Sequence, residues 1–354
     1  MKTKKTNRYG NGLKKFGLCA FTAALISVNV CQPYIYPVYA DDVQEESSAQ
    51  AEIETMYIST VDDFLEFAAN CYIDSWSVNK KIVLRNNLDF TGRELVMVPV
   101  FAGEFDGNGH TISGIDFTGE SYVTAIFRYV EENGVIDSLN VKGNIAALDE
   151  QECVGGIVGS NYGTIKNCSF EGTVNGKNTI GGIAAFNKST GVIKKCEVRG
   201  RITGSYYTGG ITGINHGIIN NCANAAGIND DSAWVESEDE NSSNIIGNIT
   251  GNESSSIRSG IDTGGISGFS DGIIASCNNN GQVGYEHVGY NIGGIAGRQS
   301  GIILSCVNEG KVFGRKDIGG IVGQMEPYIE IVAAETIRNS VDELHDILDR
   351  TFDD

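Results

Sequence analysis

The chain has 354 residues, with 26 lysines and arginines against 45 aspartates and glutamates, a formal net charge of −19. That balance excludes nucleic acid, anionic lipid and polyanionic glycans as general partners, because the field of the whole molecule repels them.

The chain opens with Lys2, Lys4, Lys5, Arg8, Lys14 and Lys15 ahead of the apolar run Phe16 to Val30, and Val38-Tyr39-Ala40 presents small residues where a signal peptidase reads. We therefore expect a signal peptide over 1–40, cleaved after Ala40, and a secreted or cell-surface protein. The apolar run is short for a bilayer span, and no second one follows, so no membrane span is expected in the mature chain. The leader holds 6 of the 26 basic residues and none of the 45 acidic ones, which leaves 20 basic against 45 acidic residues after cleavage. Residues 41–56 are acidic and read as a solvated linker.

Residues 57–124 read as an N-terminal cap with leading strands. Val61 to Cys71 carries apolar residues at helical spacing behind Thr60, a good N-cap, and Lys81 to Leu88 reads as a strand. Phe105-Asp-Gly-Asn-Gly-His-Thr-Ile-Ser-Gly-Ile115 reads as a hairpin, two strands about a tight glycine-rich turn.

From 125 to 325 the chain repeats. Gly-Gly-Ile starts at Gly155, Gly181, Gly209, Gly264, Gly293 and Gly319, spaced 26, 28, 55, 29 and 26 residues apart. Behind the doublets recur an isoleucine (Ile165, Ile193, Ile219, Ile274, Ile303), a cysteine (Cys168, Cys196, Cys222, Cys277, Cys306) and a branched residue (Val174, Ile202, Ile228, Val283, Val312). Ile136, Leu139 and Ile145 keep the same spacing one coil earlier, so leucine stands on the cysteine rung. Glycine at this density breaks helices, at about 1 kcal/mol per residue. The period instead predicts an all-β, right-handed parallel β-helix of three strands per coil, its coils stacked about 4.8 Å apart with like side chains in columns. A solenoid grows by stacking, so one domain accounts for the length.

Two segments depart from the period. The spacing of 55 hides an insertion over 229–262, rich in acidic residues, serine and asparagine. Its Trp234, Glu236 and Asp239 are the candidate ligand-contact residues, since loops inserted into a rigid scaffold carry binding. Over 326–354, Ile337, Val341, Leu344, Ile347, Leu348 and Phe352 follow helical spacing. This predicts a C-terminal helix that either folds back over the solenoid or self-associates through its apolar stripe. No helix stop precedes Asp354, so we expect a fragment or a truncated gene product.

The ladder cysteines are expected to be buried thiols, because in-register parallel neighbours do not suit disulfide geometry. A Cys71 to Cys153 bridge stays open. No catalytic, cofactor or metal site is expected: His-Glu-x-x-His, Gly-x-Ser-x-Gly and Cys-x-x-Cys are all missing, and His110, His216, His287 and His345 share no ligand spacing. Asp106 and Asp116 read as turn residues, and the acids of the repeats share no rung.

Gly155-Gly-Ile-Val-Gly-Ser-Asn-Tyr-Gly-Thr-Ile-Lys-Asn-Cys168 and its copies resemble the GLUG-type repeats of secreted bacterial proteins, repeats also found in the non-catalytic region of immunoglobulin A metalloproteases. The resemblance covers roughly 57–323 and implies display or adhesion. The expected function is a scaffold for adhesion to, or interaction with, a protein or glycan ligand of host or cell wall, without catalysis of its own. The alternatives are the non-catalytic exodomain of a larger surface protease and a glycan-active enzyme of the same fold class, which an acidic cluster lining one groove would favour.

Overall fold

A computed structural model describes residues 53–119, 121–147, 153–231 and 260–327. The signal peptide, most of the acidic linker, Trp234, Glu236, Asp239 and the C-terminal helix expected beyond Pro327 lie outside the described residues.

The chain winds into a solenoid whose strands all pair in parallel, coil on coil. Each coil has four strands, not three. In the coil of the first Gly-Gly doublet they are Cys153–Gly155, Val158–Asn161, Thr164–Lys166 and Ser169–Asn175. We number the walls they build 1 to 4; these hold 7, 8, 9 and 9 strands respectively. The fourth strand arises because Gly-Gly-Ile is a corner and not a strand: wall 1 stops at the first glycine and wall 2 starts after the isoleucine. A Cβ on Gly182 would lie 2.4 Å from the Gly210 carbonyl oxygen in the adjacent coil and 2.5 Å from Val198 Cγ1 of its own coil. Only glycine lets the backbone turn there while the following isoleucine drops into the core, and Ile157, Ile183, Ile211, Ile266 and Ile295 are all fully buried.

The corner between walls 3 and 4 uses a different device. Ser138, Asn167, Lys195, Asn221, Ser276 and Ser305 adopt left-handed backbone with φ between 53 and 55°, each immediately before the leucine or cysteine of the rung. The expected hairpin at Phe105 to Ile115 is the same kind of corner. Glu104–Asp106 lies in wall 3 and Thr111–Gly119 in wall 4, each paired in parallel with other coils. Asn108 and Gly109 supply the positive φ, which is why the sequence imitates a hairpin turn. Asp106 accepts the Asn108 N–H at 2.9 Å and is a turn residue, whereas Asp116 sits inside a strand. The strand expected over Lys81 to Leu88 is likewise split between walls, into Lys80–Leu84 and Leu88–Asp89.

The inward columns form the core. Ile136, Ile165, Ile193, Ile219 and Ile274 stack in register and have no exposed surface. On the cysteine rung Cys168, Cys196, Cys222 and Cys277 are buried free thiols, and Cys306, in the last complete coil, is half-buried. Each thiol donates to the carbonyl two residues earlier, as in Cys168 Sγ to Lys166 O at 3.1 Å. A hydrogen bond with Cys222, reinforced by burial, pushes Cys277 up to about 12. Cys71 and Cys153 are buried in separate apolar clusters, so they are not bridged to each other.

A second column is polar. Asn161 Nδ2 donates to Asn187 Oδ1 at 2.9 Å, Asn187 to Asn215 at 2.8 Å, and Asn215 to Ser270 Oγ at 3.0 Å. The same amides also cap the carbonyls of Gly163, Gly191 and Gly217 at the corner between walls 2 and 3. Buried amides are tolerated here because each donates both to the next coil and to its own corner, Asn161 Oδ1 at the head of the column being left without a donor.

The helix α1, Val61–Asn70, starts at Thr60 with a capping box closed by Asp63, whose carboxylate the Ser59 and Thr60 N–H groups hold below its ordinary value. Its fully buried Phe64 and Phe67 pack on Phe90, Phe101, Phe105 and Phe127 of the first coils, with ring centroids 5.6 to 6.4 Å apart.

Ile219→Asp is expected to abolish cooperative folding, since a carboxylate between Ile193 and Ile274 has no partner and its burial costs several kcal/mol. Exposed Lys194→Ala, on the outer side of the same wall, is expected to leave the melting curve unchanged; circular dichroism against temperature compares them. Alkylation of native protein near neutral pH should mark Cys306 well before Cys168, Cys196, Cys222 or Cys277, with all five marked after denaturation, as read by peptide mass spectrometry.

Candidate functional site in an external groove

Walls 1 and 2 meet at an angle that is concave on the outside. The proof is that outward side chains of the two walls touch each other. Val123 and Cys153 of wall 1 form a small buried cluster with Ala185 of wall 2, against which Tyr129 and Phe186 pack. A Cβ on Gly268 would lie 2.4 Å from the Tyr207 carbonyl carbon, so wall 2 carries glycine where it runs closest to wall 1.

Two columns line this groove. On wall 2 the register aligns Tyr129, Ser160, Phe186, Ile214, Phe269, Arg298 and Gln324, five residues behind the first glycine of each doublet where a doublet is present. On wall 1, two residues before the doublet, stand Tyr207, Asp262, Asn291 and Asp317. All four adopt left-handed backbone, with φ of 46, 56, 57 and 56°. Non-glycine residues in that conformation carry strain that the surrounding pairing holds in place, and such residues concentrate at functional sites.

Cations lie on the rings of this face. The Arg128 guanidinium is 5.3 Å from the Tyr129 ring, Lys188 Nζ is 4.0 Å from Phe186, and Arg298 is 4.7 Å from Phe269 and 5.9 Å from Tyr207. Arg298 also joins two carboxylates, at 3.2 Å to Asp262 and 3.3 Å to Glu326. Asp262 is nearly fully buried and accepts Asn291 Nδ2 at 2.7 Å. Burial, outweighing the help of Asn291 and Arg298, raises its carboxyl above the ordinary 3.8. Next to Phe269, His216 Nδ1 lies 2.7 Å from Asp271 Oδ1.

The insertion is rooted beside this cluster, and both its ends are part of the coils. Asn229 is buried and pairs with both backbone groups of Gly204 at 2.9 Å. Asp230 and Asp231 pair with Arg201, and Ile261 N donates to Ser205 O at 2.9 Å. Asp262 therefore stands three residues behind 232–259. The structure places the groove next to the insertion's root, while Trp234, Glu236 and Asp239 themselves lie outside the described residues. Contrary to the expectation that no acids share a rung, Asp262 and Asp317 do. The signal was available two positions ahead of the doublet, where an alignment starting at the glycines does not look. Among the described residues no group of three or more His, Cys, Asp or Glu side chains is placed to hold a metal ion. Among them, too, no helix is long and apolar enough to cross a membrane.

Residues 150–175 match the family model described as the GLUG motif. The chain carries the GLUG motif. It is 38% identical over 85 residues to halomucin from Haloquadratum walsbyi and 35% identical over 74 residues to a protein provisionally named Gly-rich membrane protein from Evansella cellulosilytica. Those matches cover 23% and 20% of this chain, and only 1% and 8% of the relatives. A crystal structure from Bacteroides ovatus, provisionally assigned as an immunoglobulin A1 protease, has the same fold at 16% identity. Its TM-score is 0.56 over 77% of this chain and 83% of that one.

The raised Asp262 makes a signed prediction. The folded state binds this proton more tightly than the unfolded chain, so its contribution to stability is full below the ordinary value and is lost as pH rises through the folded value. Asp262→Asn should gain stability relative to the parent as the pH is raised from about 3 to about 7 in denaturant titrations.

Proposed function

We propose that this repeat protein is a secreted or cell-surface scaffold that holds a protein or glycan ligand of host or cell wall in the groove between walls 1 and 2, without catalysis of its own. The observation that carries this reading is the outer column from Tyr129 to Arg298, in which three half-buried rings, Tyr129, Phe186 and Phe269, each have a cation laid over them, beside the root of the insertion. Half-buried rings and cations are what recognition surfaces use, and a rigid solenoid presents them at fixed spacing. The names of a halomucin and of a membrane protein among the relatives support a surface location, and the charge and leader support export after cleavage at Ala40.

On this reading the solenoid is right-handed, as parallel crossovers are. Helix α1 caps its N-terminal end with Phe64 and Phe67, and a helix forms over 326–354. Trp234, Glu236 and Asp239 reach the ligand from the insertion.

A second reading has one observation in its favour. Asp262 and Glu326 share Arg298, and one of these carboxyls has a raised pKa, as a general acid requires. The likeness to the Bacteroides ovatus structure supports a third, a non-catalytic exodomain of a larger surface protease.

The test is a glycan and protein array probed with parent, Phe269→Ala, Arg298→Ala and a variant lacking 232–259. Ligands held by the parent should be lost by at least tenfold in affinity in all three variants, with melting points close to the parent's. Binding that survives in all three would refute the groove. Turnover of an array glycan that disappears in Asp262→Asn would establish the enzyme instead.

A further inference from the structure

The last coil leaves the solenoid open. Ile292 and Ile295 are buried, but their counterparts one coil on, Ile318 and Ile321, are 47% and 41% exposed, and Ile302, Leu304, Val307 and Met325 are exposed as well. A cavity of about 640 Å³ opens at this end, lined by Gln299, Gly301, Ile302, Ile303, Ile321, Val322 and Met325. Gln299 stands in the polar column below Ser270, is 1% exposed, and has no hydrogen-bond partner for either its amide nitrogen or its amide oxygen. Its register neighbour in the following coil is Met325, which cannot take up the amide relay that the asparagines pass along. An apolar cavity beside an orphaned buried amide is a seat lacking its occupant.

We infer that residues 328–354 of this same chain fill it, as a helix laid across the open end with Ile337, Val341, Leu344 and Leu348 on the exposed isoleucines and Met325. Those four positions follow one face at intervals of 4, 3 and 4 residues, while Glu335, Arg338, Asp342, Asp346 and Asp349 fall elsewhere around the helix. Residues 328–354 carry no glycine and no Gly-Gly-Ile step, so they lack the corner sequence with which the preceding coils turn from wall 1 to wall 2. The segment starts at the rim, three residues behind Met325. So short a tether gives an effective concentration in the mM range, which favours it over a second copy. Head-to-tail stacking of a second copy is disfavoured too, since Phe64 and Phe67 of α1 lie buried over the first coils.

Amide hydrogen exchange on the full chain tests this, with Leu344→Asp combined with Leu348→Asp as one variant and Ile337→Asp as an independent second. The parent is expected to be a monomer by light scattering, with the amides of 302–304 and 321–325 protected. In both variants they exchange at least tenfold faster, and a dye that fluoresces on apolar surface binds, while exchange in 164–202 is unchanged. Equal exchange at 302–304 and 321–325 in parent and variants overturns the inference. So does a parent dimer whose protection of that end is lost on dilution, which would assign the seat to a second copy.

Discussion

Everything in this molecule depends on in-register parallel stacking. When each coil hydrogen-bonds only to the coils before and after it, every position along the repeat becomes a column of like neighbours about 4.8 Å apart. A column tolerates only groups that can stand next to their own kind. Isoleucine does so by packing, cysteine as a small apolar group whose thiol finds a carbonyl within its own corner, and asparagine because its amide both donates and accepts. A charge fits such a column only on the outside. The acidic composition is therefore carried by the outer faces and by segments that leave the period, not by the core.

The corners decide the cross-section. Two glycines at one corner, a left-handed residue at another and a buried amide at a third let four short strands close around a narrow core in fewer than thirty residues. The sharp glycine corner also makes walls 1 and 2 re-entrant, and that angle turns two unrelated surface columns into opposite sides of one groove. The candidate site is thus a by-product of how the core is closed. In the last coils wall 1 bulges outward at Tyr207, Asp262, Asn291 and Asp317, and there the groove changes from apolar at Val123 and Cys153 to polar at Asp262 and Arg298.

A stack of columns has two ends, and each end breaks the rule that satisfies the middle. The first coils meet the aromatic face of α1. At the other end the amide relay stops at Ser270, leaving Gln299 unpaired, and the isoleucine columns end at Ile318 and Ile321, which are exposed.

The repeat, its period, the buried isoleucine and cysteine columns and the helix behind Thr60 were legible in the sequence, because each rests on like residues recurring at fixed spacing or on a local capping pattern. The number of walls was not legible. Gly-Gly-Ile reads as a strand by composition, and only the clash a Cβ would meet across coils shows it to be a corner. Phe105 to Ile115 carries hairpin turn chemistry, yet its strands pair with other coils, since the column contacts outweigh a local preference. Asp262 and Phe269 stand on walls 1 and 2 of one coil, and Arg298 on wall 2 of the next. Nothing in their linear order joins them, and they became a site only when stacking set the coils in register and the corner folded one wall toward the other.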